Sequence, residues 1–231
     1  ILYHELSKRK RNDTKRLEKN QRLDFQCADG LIVPSFPRSR WIIKKYGIHP
    51  KKVYATLNGA TIPDKMEVSR SAALKRLNVS ADGFFLGFLG TVWKYYDLKS
   101  IIRAMRLCKA QVPKISLIII GGGPGMQEIK EQANNEGILC RIIDLGFIQP
   151  NELFKVIKAI DLGLMVLTKA GLKDLGPITT RFATYASYGI PVIGNTLYLE
   201  NYPQEIIQAL YKVPHENPHA LSDKIINIYR S

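Results

Sequence analysis

Cysteine is scarce in this chain: among 231 residues there are three, Cys27, Cys108 and Cys140, odd in number and far apart. That spacing offers neither a disulfide framework nor a metal site. With apolar neighbours, the three read as free buried thiols in a reducing, cytoplasmic compartment. Long apolar runs are missing too. A bilayer span needs about 18–20 apolar residues, and the longest run here, around Ile118–Ile120, is strand-sized; no segment reads as one that crosses a membrane by itself. The opening Ile1-Leu2-Tyr3-His4-Glu5 has no initiator Met and no basic-then-apolar signal layout, so it reads as a chain entered midway.

Acidic residues are in the minority, 20 against 34 Lys and Arg, for a formal net charge of +14. The excess gathers at the front, where Lys8-Arg9-Lys10-Arg11, Lys15, Arg16, Lys19 and Arg22 meet only Asp13 and Glu18. Such a stretch attracts nucleic acid, anionic lipid or phosphorylated ligands; a solvated helix face is the plainer reading. Aromatic residues do not interleave with the charges, and no RNP, helix-turn-helix or zinc-finger pattern is present, so nucleic acid is a poor candidate. An anionic membrane surface at the inner face, held reversibly and peripherally, is the partner expected of this segment.

What is present is a regular alternation. Residues 6–28 read as a polar helix, Gly30–Ser35 as a short strand, Pro37–Tyr46 as a helix closed by Gly47, and Lys52–Leu57 as a strand before an Asn58-Gly59 tight turn. The boundary falls near residue 59, and polar residues after it form a connector. Beyond it, apolar strands are expected at 84–89, 116–120, 141–145, 162–167, 191–194 and 210–213, with helices at 98–110, 126–135, 151–159, 179–188, 204–209 and 218–229. Strand, helix, strand repeated in this way specifies an α/β fold with a doubly wound, Rossmann-like parallel sheet.

In such a sheet ligands bind outside the carboxyl ends of the strands. Three loops there carry polar or glycine-rich chemistry. Gly87–Lys94 follows a strand, and its glycines let backbone approach a phosphate with Lys94 nearby; a glycine turn after a strand is the alternative. Gly121-Gly122-Gly123-Pro124-Gly125 follows the next strand, but lacks the G-x-G-x-x-G order and any phosphate-loop lysine, which argues against nicotinamide chemistry and nucleoside-triphosphate hydrolysis. Gly176-Pro177-Ile178-Thr179-Thr180-Arg181 opens a helix with two hydroxyls, an arginine and free amides. Ordinary capping by Thr179 or Thr180 explains those hydroxyls equally well.

These loops, in this order, resemble the C-terminal domain of GT-B glycosyltransferases of family 4 (group 1). Ala28-Asp29-Gly30-Leu31-Ile32-Val33-Pro34-Ser35 and Leu57-Asn58-Gly59 are similar to motifs near the end of that family's N-terminal domain. Gly90, Ile119–Pro124, Leu145-Gly146-Phe147, Ala159-Ile160-Asp161 and Ala186–Ile193 are similar to motifs of its C-terminal domain. The resemblance implies that residues 1–58 are the remnant of an acceptor-side domain, 59–80 a linker, and 81–231 the donor-nucleotide domain, ending before a crossing helix.

By the same resemblance, the chain takes a nucleoside-diphosphate sugar as co-substrate and moves its hexose to a glycan, lipid-linked or small acceptor, with retention and without a metal or other cofactor. Lys94 and Arg181 are the expected catalytic cations. Gly90 and Thr91 would face the diphosphate, Phe147 and Ile148 would border the base, and Gly176, Ile178, Thr179 and Thr180 would present helix-start groups. Thr184 stands where the family has a ribose-gripping carboxylate, and Gly176 where it has another acid. These departures leave a non-catalytic binding or subunit-interface module as the alternative reading.

Overall fold

The computed structural model describes residues 11–60 and 68–231. The chain divides into two compact units, residues 1–57 and 58–231.

In the first unit, helix α1 (Arg11–Cys27) precedes strand β1 (Leu31–Val33), helix α2 (Phe36–Tyr46) and strand β2 (Val53–Ala55). Ser35 caps α2 by accepting from Arg38 N, Pro37 occupies its first turn, and Gly47 ends it in the left-handed region at φ 66. The two strands pair in parallel, Leu31 opposite Val53. Val33, Ile42, Tyr46 and Ile48 form a small core against Phe25, Leu31 and Val53, and Tyr46 donates its hydroxyl to Gln21 at 2.8 Å. The basic residues Lys15, Arg16, Lys19 and Arg22 are exposed. Lys8, Arg9 and Lys10 lie outside the described residues.

In the second unit, helix α3 (Arg70–Arg76) and strand β3 (Phe84–Leu89) are followed by α4 (Leu98–Cys108), β4 (Ile115–Ile120), α5 (Met126–Asn135), β5 (Ile142–Asp144), α6 (Phe154–Ile157) and β6 (Leu162–Met165). Then come α7 (Lys169–Leu175), α8 (Thr180–Ser187), β7 (Val192–Asn195), α9 (Gln204–Gln208), β8 (Leu210–Val213) and α10 (Pro218–Arg230). The six strands form one parallel sheet in the order β5-β4-β3-β6-β7-β8. Its central strands are buried over nearly their whole length, which is why they read as unbroken apolar runs. Leu86, Phe88, Leu117, Ile119, Leu162 and Leu164 meet α4 and α10 residues such as Ile101, Met105, Leu221 and Ile225 in the main core.

Several expectations change. The span 59–80 contains a helix, α3, clipped to the sheet by Arg70, whose Nε and Nη2 donate to Asp161 at 3.0 Å each. The Asp161 carboxylate also accepts from Phe85 N at 2.8 Å. Asn58-Gly59 makes no tight turn; Asn58 Nδ2 instead donates to the Thr180 hydroxyl at 3.1 Å. Helix α7 was not expected, because a seven-residue segment with an internal Gly171 has too little periodicity. Of the three cysteines only Cys108 is buried; Cys27 and Cys140 are exposed, and Leu139 beside Cys140 is exposed with it.

Candidate functional site

The loops after β3, β4 and β5 are laced together by backbone. Gly90 N donates to Ile120 O at 2.7 Å, Gly121 N to Gly146 O at 2.7 Å, and Val92 N to Gly122 O at 2.8 Å. Gly121 sits at φ 130, and a Cβ there would lie 2.2 Å from Gly90 O, so no larger residue fits this approach. The lacing gathers these loops at the carboxyl edge of the sheet.

Arg181, in the first turn of α8, packs against the first of these loops. It is 8% exposed. Its guanidinium carbon lies 4.1 Å from the Phe88 ring centre and 3.6 Å from that of Tyr96, and Nη2 is 3.1 Å from where a Cβ on Gly90 would stand. Burial pulls its pKa down, partly opposed by Tyr96 and Tyr185. No carboxylate pairs with it among the described residues, and Nη1 is buried without a hydrogen-bond partner. Beside it the Thr179 hydroxyl is also buried and unpartnered. Thr179 occupies the cap position of α8 but makes no capping bond, so its hydroxyl is not used by the helix. Buried polar groups are ordinarily satisfied; here a cation and a hydroxyl at a helix start have no protein partner among the described residues.

The other expected residues are placed as follows. Gly90 and Thr91 lie in the loop after β3, both exposed. Gly176 ends α7 at φ 82, and Ile178 is buried as the floor of the turn into α8. Thr180 is exposed and accepts from Asn58. Thr184 donates its hydroxyl to Thr180 O at 3.3 Å, a bond internal to the helix. Phe147 is 75% exposed, just after Gly146, whose N–H is held by Asp144 Oδ1 at 3.1 Å; Ile148 is half-buried beside it. Lys94 is exposed and leans over Tyr95, its Nζ 5.8 Å from the ring centre. It lines a neighbouring cleft with Trp93 and Asp97, whereas Arg181 lies against Gly90.

Phe88 and Tyr96, the rings on which Arg181 lies, were not foreseen as site residues. Neither was Asn58. Among the described residues no group of three or more metal-ligating side chains occurs, and no helix is long and apolar enough to cross a membrane.

Residues 83–231 match the family described as glycosyl transferases group 1. An alpha-monoglucosyldiacylglycerol synthase of Streptococcus pneumoniae (strain ATCC BAA-255 / R6) is 28% identical over 144 residues, covering 57% of this chain and 32% of that protein. Among solved structures, Anabaena Alr3699/HepE in complex with UDP superposes with a TM-score of 0.72 at 19% identity, covering 96% of this chain and 58% of that one. WaaG, a glycosyltransferase involved in lipopolysaccharide biosynthesis, superposes with a TM-score of 0.74 at 13% identity, covering 99% and 63%. HepE has also been solved with UDP-glucose. The chain thus spans a third to two thirds of the length of these relatives, and its fold is that of GT-B glycosyltransferases.

Proposed function

The chain belongs to the group 1 glycosyl transferases, and from that premise we propose that its second unit holds the nucleoside diphosphate of a hexose donor at the loop cluster around Arg181. The observation that carries this is the buried guanidinium with no anionic partner, beside an unused Thr179 hydroxyl at a helix start. Charge-assisted hydrogen bonds to phosphate are strong in a site withdrawn from water, and the α8 amides add a favourable dipole. UDP bound to HepE, of the same fold, supports the nucleotide class.

The chemistry asked of these groups is electrostatic. When the bond from the hexose anomeric carbon to the β-phosphate oxygen breaks and a bond to an acceptor hydroxyl oxygen forms, the hydroxyl proton passing to the leaving phosphate, negative charge grows on the diphosphate as it departs. Arg181, the α8 amides and, from its exposed position, Lys94 stabilise that charge without a metal. Phe147 offers an exposed ring at the β5 end on which a base can lie. Thr184, already bonded within its helix, grips no ribose hydroxyl strongly, so the phosphates dominate donor affinity. Retention of configuration and a sugar, glycan or lipid-linked acceptor are part of the proposal, as is an acceptor-side role for residues 1–58.

Calorimetric titration with UDP, GDP and ADP tests the site. Micromolar binding of one of them, lost in Arg181→Gln, is expected. Silence for all three would favour a non-catalytic module.

The exposed basic face of the first unit supports a second interaction, with an anionic lipid surface. Lys15, Arg16, Lys19 and Arg22 on α1 are joined by Arg40 and Lys44 on α2 and by Trp41, 42% exposed, whose ring lies 4.8 Å from Lys45 Nζ. Tryptophan with flanking cations suits a headgroup interface.

A further inference from the structure

Beside the Arg181 loop cluster, a cleft of about 460 Å3 opens between the loop after β3, the start of α5 and Thr168 after β6. Such a volume falls within the roughly 300–1,000 Å3 of small-molecule sites. Its floor is apolar, from Val92, Leu98 and Ile129, and its wall includes Trp93, 39% exposed. Asp97 belongs to the same wall and is 5% exposed. Its Oδ1 accepts from Ser100 N at 3.1 Å, capping α4; its Oδ2 is buried and has no partner among the described residues.

We propose that this cleft is a subsite for a pyranose ring, with the Trp93 indole against the apolar face of the sugar and the Asp97 carboxylate accepting from its hydroxyls. A carboxylate oxygen withdrawn from water with no donor is a cost that a ligand donor can relieve. The remaining charges decide which ligand. Lys94 and Lys99 at the rim repel a cation, and Asp97 and Glu128 repel an anion, while Lys99 and Glu128 already satisfy each other at 2.5 Å. A neutral polyol with one C–H face matches what is left. Tyr96 both lines this cleft and carries Arg181 on its ring, so a sugar here lies next to the proposed diphosphate. The subsite goes beyond the nucleotide reading, because free hexosides bind it without a nucleotide.

The chain has two tryptophans, Trp41 and Trp93, so in a Trp41→Phe background the indole emission reports Trp93 alone. Titration with methyl gluco-, galacto- and mannopyranosides should give a saturable change for at least one. Asp97→Asn, which keeps the α4 cap, should weaken it about tenfold, the loss of a charge-assisted bond. Saturation-transfer NMR on the unsubstituted chain gives a second readout, to be lost in Trp93→Ala. Adding UDP or UDP-glucose separates the two sources of the ring. Displacement of the hexoside by UDP-glucose but not by UDP assigns the cleft to the donor's hexose; binding alongside UDP-glucose assigns it to a second saccharide. No response to any hexoside, with or without UDP, or a response unaffected by both substitutions, overturns the proposal even if UDP itself binds.

Discussion

A guanidinium taken out of water with no anion beside it is expensive to keep folded, and Arg181 is kept that way between two rings. Arg181→Met should therefore leave the ligand-free protein as stable or more stable by about 1 kcal/mol, while weakening nucleoside-diphosphate binding roughly 10- to 100-fold. Paired thermal melts with and without UDP check both halves, and a variant less stable than its parent without ligand would contradict the expectation. Cysteine reactivity follows the same logic of burial. Burial pushes the Cys108 thiol up to about 11, so it stays protonated and inaccessible at neutral pH. A colourimetric thiol reagent should titrate Cys27 and Cys140 in the native state and the third only after unfolding. At this scale the sequence was partly legible. Arg181 beside Thr179 and Thr180 marked a helix start suited to an anion, but the platform beneath it comes from Phe88 and Tyr96, which only the sheet order brings near. Whether a threonine caps a helix or leaves its hydroxyl free depends on a torsion that no local pattern records.

Among the elements, the helices and strands of the sheet were legible because a parallel strand buried on both faces leaves an apolar run and an amphipathic helix leaves a 3.6-residue period. The short helices α3 and α7 were not, since one or two turns carry little periodicity and are fixed by tertiary contacts. For α3 that contact is the Arg70–Asp161 clip. Arg70→Ala, at a partly exposed site, should cost only about 0.5–1 kcal/mol. Asp161→Ala should cost more, about 1–3 kcal/mol, because it also strands the Phe85 N–H inside the sheet. Urea unfolding giving the reverse order would show that the clip, not the strand, holds this end. At the tip of β5 the Asp144 carboxyl is held below its usual range by the hydrogen bond from Lys130 and, less strongly, by Gly146 N–H. A depressed folded pKa contributes stability above the unfolded value of about 3.9, and that contribution disappears as pH falls through the folded pKa. Asp144→Asn should thus lose less than about 1 kcal/mol at neutral pH and converge with the parent in acid, a comparison made by melts across the acid range.

For the molecule as a whole, charge is the property that reaches farthest. A net +14 with a basic first unit gives about 1 kcal/mol of attraction per Lys or Arg held near an anionic bilayer, reduced by salt. Pelleting with anionic but not neutral vesicles is expected. It should fade at high salt and fall when Lys8, Arg9, Lys10 and Arg11 are changed to glutamine, and equal pelleting with both vesicle types would exclude the electrostatic mechanism. The strand order has a consequence of another kind, in time rather than space. β3 pairs with β4, which follows it directly, but on its other side with β6, made only after β4, α5, β5 and α6. A chain emerging from the ribosome can close the β5-β4-β3 half while the far edge of β3, around Leu86 and Gly87, still has no neighbour. During that interval the middle of the finished sheet is an open edge, able to join a strand from another nascent chain. Substitutions that delay docking of β6 should therefore raise aggregation during synthesis far more than they lower the stability of the protein once it is complete.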